Sequence, residues 1–191
     1  RDRSVSRGLG DVYKRQIWID AAANFPDYAN SKENIAKDME KIKAAGFTDI
    51  IVDVRPTTGD VLFNTNVVDQ VKRMDVWGNS GYSYYERTET WDYLQAFIEE
   101  ARIQGLKVNA SINTFVGGYL CPYNLGHDGV LFRDESKKGW ASVANLADGL
   151  TNTMDLLDDE TDYGAKFFNP ANDDVQNFVL QLLADLAKYD L

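Results

Sequence analysis

The chain has 191 residues, enough for one domain with a hydrophobic core but fewer than the roughly 250 residues of a complete (β/α)8 barrel. Its net charge of −10 argues against a nucleic-acid-binding protein, and every apolar run is shorter than the roughly 20 residues of a membrane-spanning helix. A single cysteine, Cys121, excludes an internal disulfide and a metal site built from cysteines.

The first 16 residues differ in charge from the rest of the chain. Residues 1–16 carry five basic and two acidic side chains, a net charge of +3, so the remainder carries −13. The segment lacks the apolar core of a signal peptide. It resembles adapter sequence translated at the ends of metagenomic fragments, and we expect it to be foreign to the fold. The native start, with any export signal or lipid anchor, is then missing, so a cell-surface, periplasmic or secreted location stays a hypothesis.

The next part of the chain predicts a strand, a helix and a second strand. The first strand covers Ile17–Ala21 and ends near Asp20. Ser31 is a suitable N-cap for a helix that stops at Gly46 and carries apolar residues at helical spacing. The second strand covers 49–54, and its β-branched run is typical of a parallel strand covered on both faces.

The same helix-to-strand unit then recurs. A helix opened by Thr88 or Thr90 closes at Gly105, and a third strand follows over Leu106–Ile112. The last helix is predicted to start near Asn172. Repeated units of this kind form a parallel sheet, as in a barrel or in an open doubly wound sheet.

The long connections favour the barrel. The segments 56–89 and 113–171 are predicted loops, and loops of that length are unusual unless they are functional. No glycine-rich phosphate-binding sequence follows any strand. We therefore predict an α/β fold, the amino-terminal part of a (β/α)8 barrel with about three βα units. The chain stops at Leu191, where a fourth strand is expected, which indicates a longer protein.

Several segments also resemble a known family. They are Ile17-Trp18-Ile19-Asp20, Gly46 through Phe63, Asn113, Phe168 through Val175, and Tyr189-Asp190-Leu191. The most specific parts are the strand end Asp53-Val54-Arg55-Pro56 and the helix start Asn169-Pro170-x-Asn172-x-x-Val175. Over residues 17–191 the chain resembles the first half of the glycosyl-hydrolase-like family ten domain of bacteria. The resemblance implies a (β/α)8 barrel with carbohydrate as its substrate.

Acidic side chains at the strand ends are the first candidates for chemistry. Hydrolysis of a glycosidic bond needs two carboxyl groups across that bond. Asp20 and Asp53 end neighbouring predicted strands, so their side chains are expected to lie close together. They are weak candidates for catalytic acids, because in related sugar-cleaving barrels the acids come from later strands. We expect the main catalytic acids beyond Leu191, with Asp20 and Asp53 binding substrate.

Arg55, Asn113 and loop rings are the other candidate substrate-binding residues. The planar guanidinium of Arg55 suits a carboxylate or sugar hydroxyls, and the alternative is an arginine that only closes the top of a core. The amide of Asn113 both donates to and accepts from hydroxyls, whereas Asn109 is expected to be a satisfied core group. Trp77 and Tyr84 are expected to stack on a pyranose, with a loop mini-core as the alternative. The same loops also carry Tyr82, Tyr85, Tyr119, Tyr123 and Trp140.

The combined expectation is part of a glycoside hydrolase that acts on a polysaccharide or glycan by carboxylate acid/base chemistry. The isolated chain is expected to be inactive. The alternatives are a non-catalytic carbohydrate-binding protein on the same barrel and an open-sheet domain that binds a small molecule. No cofactor and no metal are expected, since His127 is a lone histidine and the acidic run 155–162 has its glycine, Gly164, one place too late for a calcium loop.

Overall fold

The computed structural model describes residues 15–78, 81–120, 127–156 and 164–191. Within these ranges the helices are α1 (Phe25–Tyr28), α2 (Lys32–Ala44), α3 (Tyr93–Ile103), α4 (Val130–Arg133) and α5 (Asp173–Leu186), with 3-10 helices at Glu135–Trp140 and Thr153–Leu156. The strands are β1 (Gln16–Ile19), β2 (Asp49–Arg55), β3 (Arg73–Gly78), β4 (Gly81–Glu86), β5 (Lys107–Ile112), β6 (Val116–Leu120), β7 (His127–Asp128), β8 (Val143–Leu146), β9 (Gly149–Asn152) and β10 (Gly164–Phe167).

A three-stranded parallel sheet in the order β1-β2-β5 carries the main core. Ile50, Val52 and Val54 alternate along β2 and are completely buried. They belong to the same core as the apolar stripes of α2, α3 and α5, which supply Ile35, Met39, Ile42, Leu94, Phe97, Ile98, Ala101, Val175, Phe178 and Leu182. The three parallel strands and these three long helices lie close to the positions predicted for them.

Local signals set most of the helix ends. The side chain of Ser31 accepts a hydrogen bond from the Asn34 N–H (3.2 Å), as predicted for the start of α2. Gly46 and Gly105 follow α2 and α3 with φ angles of 85° and 63°, a conformation that suits glycine. The start of α3 was predicted wrongly at Thr88 or Thr90, because the N-cap is Asp92, whose carboxylate accepts from the Gln95 N–H.

The barrel prediction is wrong. The described parts of the segments 56–89 and 113–171 contain seven strands rather than loops, and each of these strands pairs antiparallel with its neighbour. They form two hairpins, β3–β4 and β8–β9, and a three-stranded sheet in the order β10-β6-β7. The described residues therefore build a mixed α/β fold, in which small antiparallel sheets accompany one parallel sheet and no barrel-like succession of βα units is present.

These two segments were predicted as loops although their sequences contain signals for β-hairpins. Residues 73–76 and 82–84 alternate polar with aromatic or apolar side chains, which is the period of a strand. The pair Asp148-Gly149 lies at the turn from β8 to β9, with Gly149 as the first residue of β9, and such a pair is a strong signal for a tight hairpin turn. Rings that were assigned to a ligand platform thus lie on paired strands.

The segment 1–16, which was expected to be foreign to the fold, overlaps the first strand. Residues 1–14 lie outside the described residues, but Gln16 is already part of β1 and pairs with Asp49. The Arg15 carbonyl accepts a hydrogen bond from the Thr48 N–H (2.9 Å). Gln16 therefore belongs to the sheet, and Arg15 is hydrogen-bonded to the residue that precedes β2.

The last residues of the chain are tied back to the segment after β2. The hydroxyl of Tyr189 donates to the Asp92 carboxylate and accepts from the Asn64 N–H (2.8 Å), and its ring contacts Phe63 edge-on. Thr65 donates to the carboxylate of Asp185 at the end of α5 (2.5 Å). These bonds fix α5 beside the start of α3.

Candidate functional site

Two carboxylates meet where β1 and β2 end. Ile19 pairs with Val52, so the next residue of each strand, Asp20 and Asp53, continues the same register at the carboxyl edge of the sheet. The Oδ1 atom of Asp20 accepts from the Ala23 N–H (2.7 Å) and that of Asp53 from the Arg55 N–H (3.3 Å). Asp20 is exposed and Asp53 is half-buried. The structure thus brings together the two acids that the parallel strands predicted to be neighbours.

The two acids lie in different environments. Burial is the main cause that raises the pKa of the Asp53 carboxyl to about 6. The nearby charge of Asp20 also raises this pKa, and the backbone N–H groups of Arg55 and Ala21 lower it. A carboxyl group in this range exchanges its proton near neutral pH, which suits general acid–base work. A pair of this kind, with one exposed and one partly desolvated member, is a common arrangement in acid–base sites.

A buried tyrosine hydroxyl lies close to this pair. Tyr93, the first residue of α3, is completely buried, and its hydroxyl has no hydrogen-bond partner among the described residues. Burial raises the pKa of Tyr93 well above its usual range. Tyr28, Asp53 and Asp20 raise this pKa to a smaller extent, and the charge of Arg87 lowers it. The sequence analysis missed this residue, although its spacing of four from Phe97, whose ring it contacts at 5.1 Å, could have placed it on the inner face of α3.

One face of the parallel sheet keeps its contact with solvent. Strand register places Trp18, Ile51 and Asn109 in one row across β1, β2 and β5. The next row consists of Asp20, Asp53 and Ser111. Every residue of these two rows is exposed or half-buried, and we refer to the six as the open face.

Arg55 is in a different position from the one that the sequence favoured. Its side chain is completely buried, and its guanidinium donates to the main-chain carbonyls of Asn113, Thr114 and Val116. The rings of Phe168 and Phe178 lie 5.9 Å from the guanidinium carbon. Burial lowers the pKa of Arg55 to about 10, and the charge of Asp60 opposes that change. This geometry supports the structural alternative, in which Arg55 fixes the turn after β5.

The two asparagines on β5 and after it make backbone contacts. The amide of Asn113 donates to the Arg55 carbonyl (3.1 Å), and its own carbonyl accepts from the Arg55 guanidinium. The amide of Asn109 donates to the Ile50 carbonyl (3.2 Å) and stays half-buried. Asn113 therefore takes part in the same turn as Arg55, while Asn109 faces the open side of the sheet.

The predicted stacking rings fall into three groups. Tyr84 lies exposed on β4, and its hydroxyl donates to Glu86 (2.6 Å). Trp140 packs against Phe168 and Phe178, as expected of the mini-core alternative. The side chain of Trp77 lies outside the described part of the structure, and the same holds for the side chains of Tyr82, Tyr123 and His127.

A second charged cluster connects the segment after β2 to α4. The buried carboxylate of Asp60 accepts from both terminal nitrogens of Arg133, whose Nε also approaches Asp69 (3.4 Å). Arg73 contacts Asp128 in the same region (3.4 Å). Burial raises the pKa of Asp60, although Arg133 acts against this. These charges pair with one another, so the cluster holds the fold together.

The described residues contain no group of three or more histidine, cysteine or acidic side chains placed to hold a metal ion. In the same ranges, every helix is too short or too polar to cross a bilayer.

Comparison with known proteins gives one distant relative. The chain is 27% identical over 193 residues to an S-layer-related protein of Niallia circulans. The match covers 96% of this chain but 11% of that relative. No family model and no solved structure matches the chain. The resemblance to the glycosyl-hydrolase-like family ten therefore stays a prediction.

Proposed function

We propose that the chain is part of a bacterial surface protein that hydrolyses a glycan, with Asp53 as the acid–base group and Asp20 as the second carboxylate. The observation that carries the proposal is the pair of acids at adjacent strand ends, of which Asp53 is partly desolvated and has a pKa of about 6. The similarity to a much longer S-layer-related protein supports the surface location.

The spacing of the strands favours hydrolysis with retention of configuration. Adjacent strands lie about 4.8 Å apart, which is closer to the separation of about 5–5.5 Å between the carboxyls of retaining enzymes than to the 6.5–9.5 Å of inverting ones. The Asp20 carboxylate attacks the anomeric carbon while the bond to the leaving oxygen breaks. That oxygen takes the proton of Asp53. Asp53 then removes a proton from water, which attacks the same carbon and releases Asp20.

The alternative is a carbohydrate-binding protein without turnover. The specific observation in its favour is that both carboxylates already accept backbone hydrogen bonds, Asp20 from Ala23 and Asp53 from Arg55. Such bonds hold the acids in place for binding as well as for chemistry. In this case the two side chains accept hydrogen bonds from sugar hydroxyls and no glycosidic bond is broken.

The deciding experiment is release of reducing ends by the purified 191-residue chain from cell-wall glycan and from soluble polysaccharides. Asp53→Asn should lower kcat at least 100-fold and weaken binding far less, because an amide still forms hydrogen bonds with sugar hydroxyls. Proton NMR of the first product should show the retained anomer. Asp190→Asn is the matched control, because Asp190 is exposed and pairs with Arg102 at the surface. Binding without turnover in the unchanged protein would favour the alternative. Turnover would also contradict the expectation that the main acids lie beyond Leu191.

A further inference from the structure

We infer that the open face of the parallel sheet binds a neutral pyranose, with Trp18 as the stacking ring and with Asn109, Asp20 and Asp53 as its hydrogen-bonding groups. This inference rests on the proposed carbohydrate function and names the ligand class and the surface that receives it. The sequence analysis had placed the stacking rings in the loops and had not considered Trp18.

The exposure of Trp18 is the first support. It lies in the middle of β1, yet 55% of its surface is exposed, whereas its neighbour Ile19 is buried. Apolar residues that point to the other face, among them Ile17, Ala110 and Ile112, pack against the core. A tryptophan is a costly side chain to leave in water, because it carries the largest apolar surface of any residue.

The strand register then sets what surrounds the ring. Ile51 and Asn109 lie beside Trp18 in the same row, and Asp20 and Asp53 lie one row further along. Residues two apart along a strand are about 6.6 Å apart, and neighbouring strands are about 4.8 Å apart. The ring, the amide and the two carboxylates therefore lie within the length of one or two sugar residues.

The composition of the open face fits a sugar better than a second protein. A parallel sheet covered by protein on both faces is expected to be nearly continuously apolar on both. Here the two rows combine one ring and one aliphatic side chain with an amide, a hydroxyl and two carboxylates. Pyranoses present an apolar ring face and peripheral hydroxyls, so a ring bordered by hydrogen-bonding groups matches them.

Charge narrows the class to sugars without an acidic group. The polar edge of the open face consists of Asp20, Asp53 and Ser111, and the carboxylates would repel a uronate. A neutral or N-acetylated pyranose does not meet this repulsion. Cellohexaose and N-acetylchitohexaose are therefore expected to bind, and hexagalacturonate is not.

The test is calorimetric titration of these three hexasaccharides into four variants of the full chain. Trp18→Ala should weaken binding of the neutral ligand about tenfold, whereas Trp18→Phe, which keeps an aromatic ring, should stay within about threefold of the unchanged protein. Ile103→Ala removes a side chain that is 71% exposed at the end of α3, and Leu150→Ala removes one that is 74% exposed far from β1 in the sequence. Neither should alter binding.

Three results would overturn the inference. They are an unchanged affinity of Trp18→Ala, an absence of binding of both neutral hexasaccharides to the unchanged protein at millimolar concentration, and a loss of stability in Trp18→Ala as large as that of a buried tryptophan. The last result would mean that protein covers this face. The proposed hydrolysis can fail separately from this inference. If sugar binding depends on Trp18 but no turnover is found, the binding role of the open face is supported and the proposed hydrolysis is contradicted.

Discussion

Replacing Arg55 by lysine should destabilise the protein rather than only reduce its activity. The guanidinium donates to three main-chain carbonyls of the turn at 113–116, and it is completely buried. A lysine ammonium is a single point charge on a flexible stem, so it cannot reproduce the planar arrangement of these donors. Hydrogen bonds to charged groups contribute about 1.5–3 kcal/mol each, so losing one or two should lower the free energy of unfolding by roughly 2–5 kcal/mol.

Urea denaturation followed by circular dichroism measures this change. For a domain of this size, each kcal/mol corresponds to roughly 2–4 °C in Tm, so a loss of about 3 kcal/mol should lower Tm by roughly 6–12 °C. Arg55→Met is expected to be at least as destabilising, because it leaves the buried carbonyls without any donor. Arg102→Lys is the matched control. Arg102 pairs with Asp190 on the surface, and exposed pairs contribute about 1 kcal/mol at most.

The reasoning would be refuted if Arg55→Lys unfolded within about 0.5 kcal/mol of the unchanged protein, the range of ordinary surface substitutions. Loss of sugar binding at full stability would point to the other alternative, in which Arg55 contacts the ligand. An unchanged m-value is required for either conclusion, because a change in m would mean that the unfolded or folded state itself had altered.

Three further outcomes are expected. The raised pKa of Asp53 makes the folded state bind more protons than the unfolded state between about pH 4 and 6, so the contribution of Asp53 to stability is lost as the pH rises through 6. In urea titrations, Asp53→Asn should therefore be more stable than the unchanged protein by roughly 1–3 kcal/mol at pH 8 and equally stable at about pH 3. Gly129→Ala should lower Tm strongly, since a Cβ there would lie 2.3 Å from another main-chain atom at a φ of 92°, whereas Gly139→Ala, with no heavy atom within 4 Å of its Cβ, should have little effect. Arg133→Met should cost about 3–5 kcal/mol by leaving the buried Asp60 carboxylate without its partner, and a loss below 1 kcal/mol in urea would contradict that.

Short-range signals made half of the fold predictable. The capping groups of Ser31 and Asn172 and the glycines after α2 and α3 act within a few residues, and each marked a true helix end. The hairpins were missed although Asp148-Gly149 is a local signal, because the surrounding segments were interpreted as functional loops. That interpretation gave the aromatic residues of β3 and β4 a ligand-binding role before their alternation was considered.

The candidate site was likewise predictable from the sequence only in part. The proximity of Asp20 and Asp53 follows from parallel pairing alone, since residues in register on adjacent strands are neighbours. The burial of Arg55 depends on carbonyls about 60 positions later in the chain and on Phe168 and Phe178, which are more than 110 positions away. No periodicity near Arg55 carries that information, so its role required the tertiary structure.

The bonds made by Tyr189 have a consequence for synthesis on the ribosome. The strands of the parallel sheet leave the exit tunnel in sequence, and paired residues on neighbouring strands, such as Gln16 with Asp49 and Asp49 with Lys107, are 33 and 58 positions apart. The Tyr189 hydroxyl, by contrast, joins groups that precede it by 97 and 125 positions, Asp92 and Asn64. Contacts of such separation form late because a long loop must close first. The main-chain N–H of Asn64 and the carboxylate of Asp92 therefore lack this shared partner on the nascent chain until Tyr189 has left the tunnel.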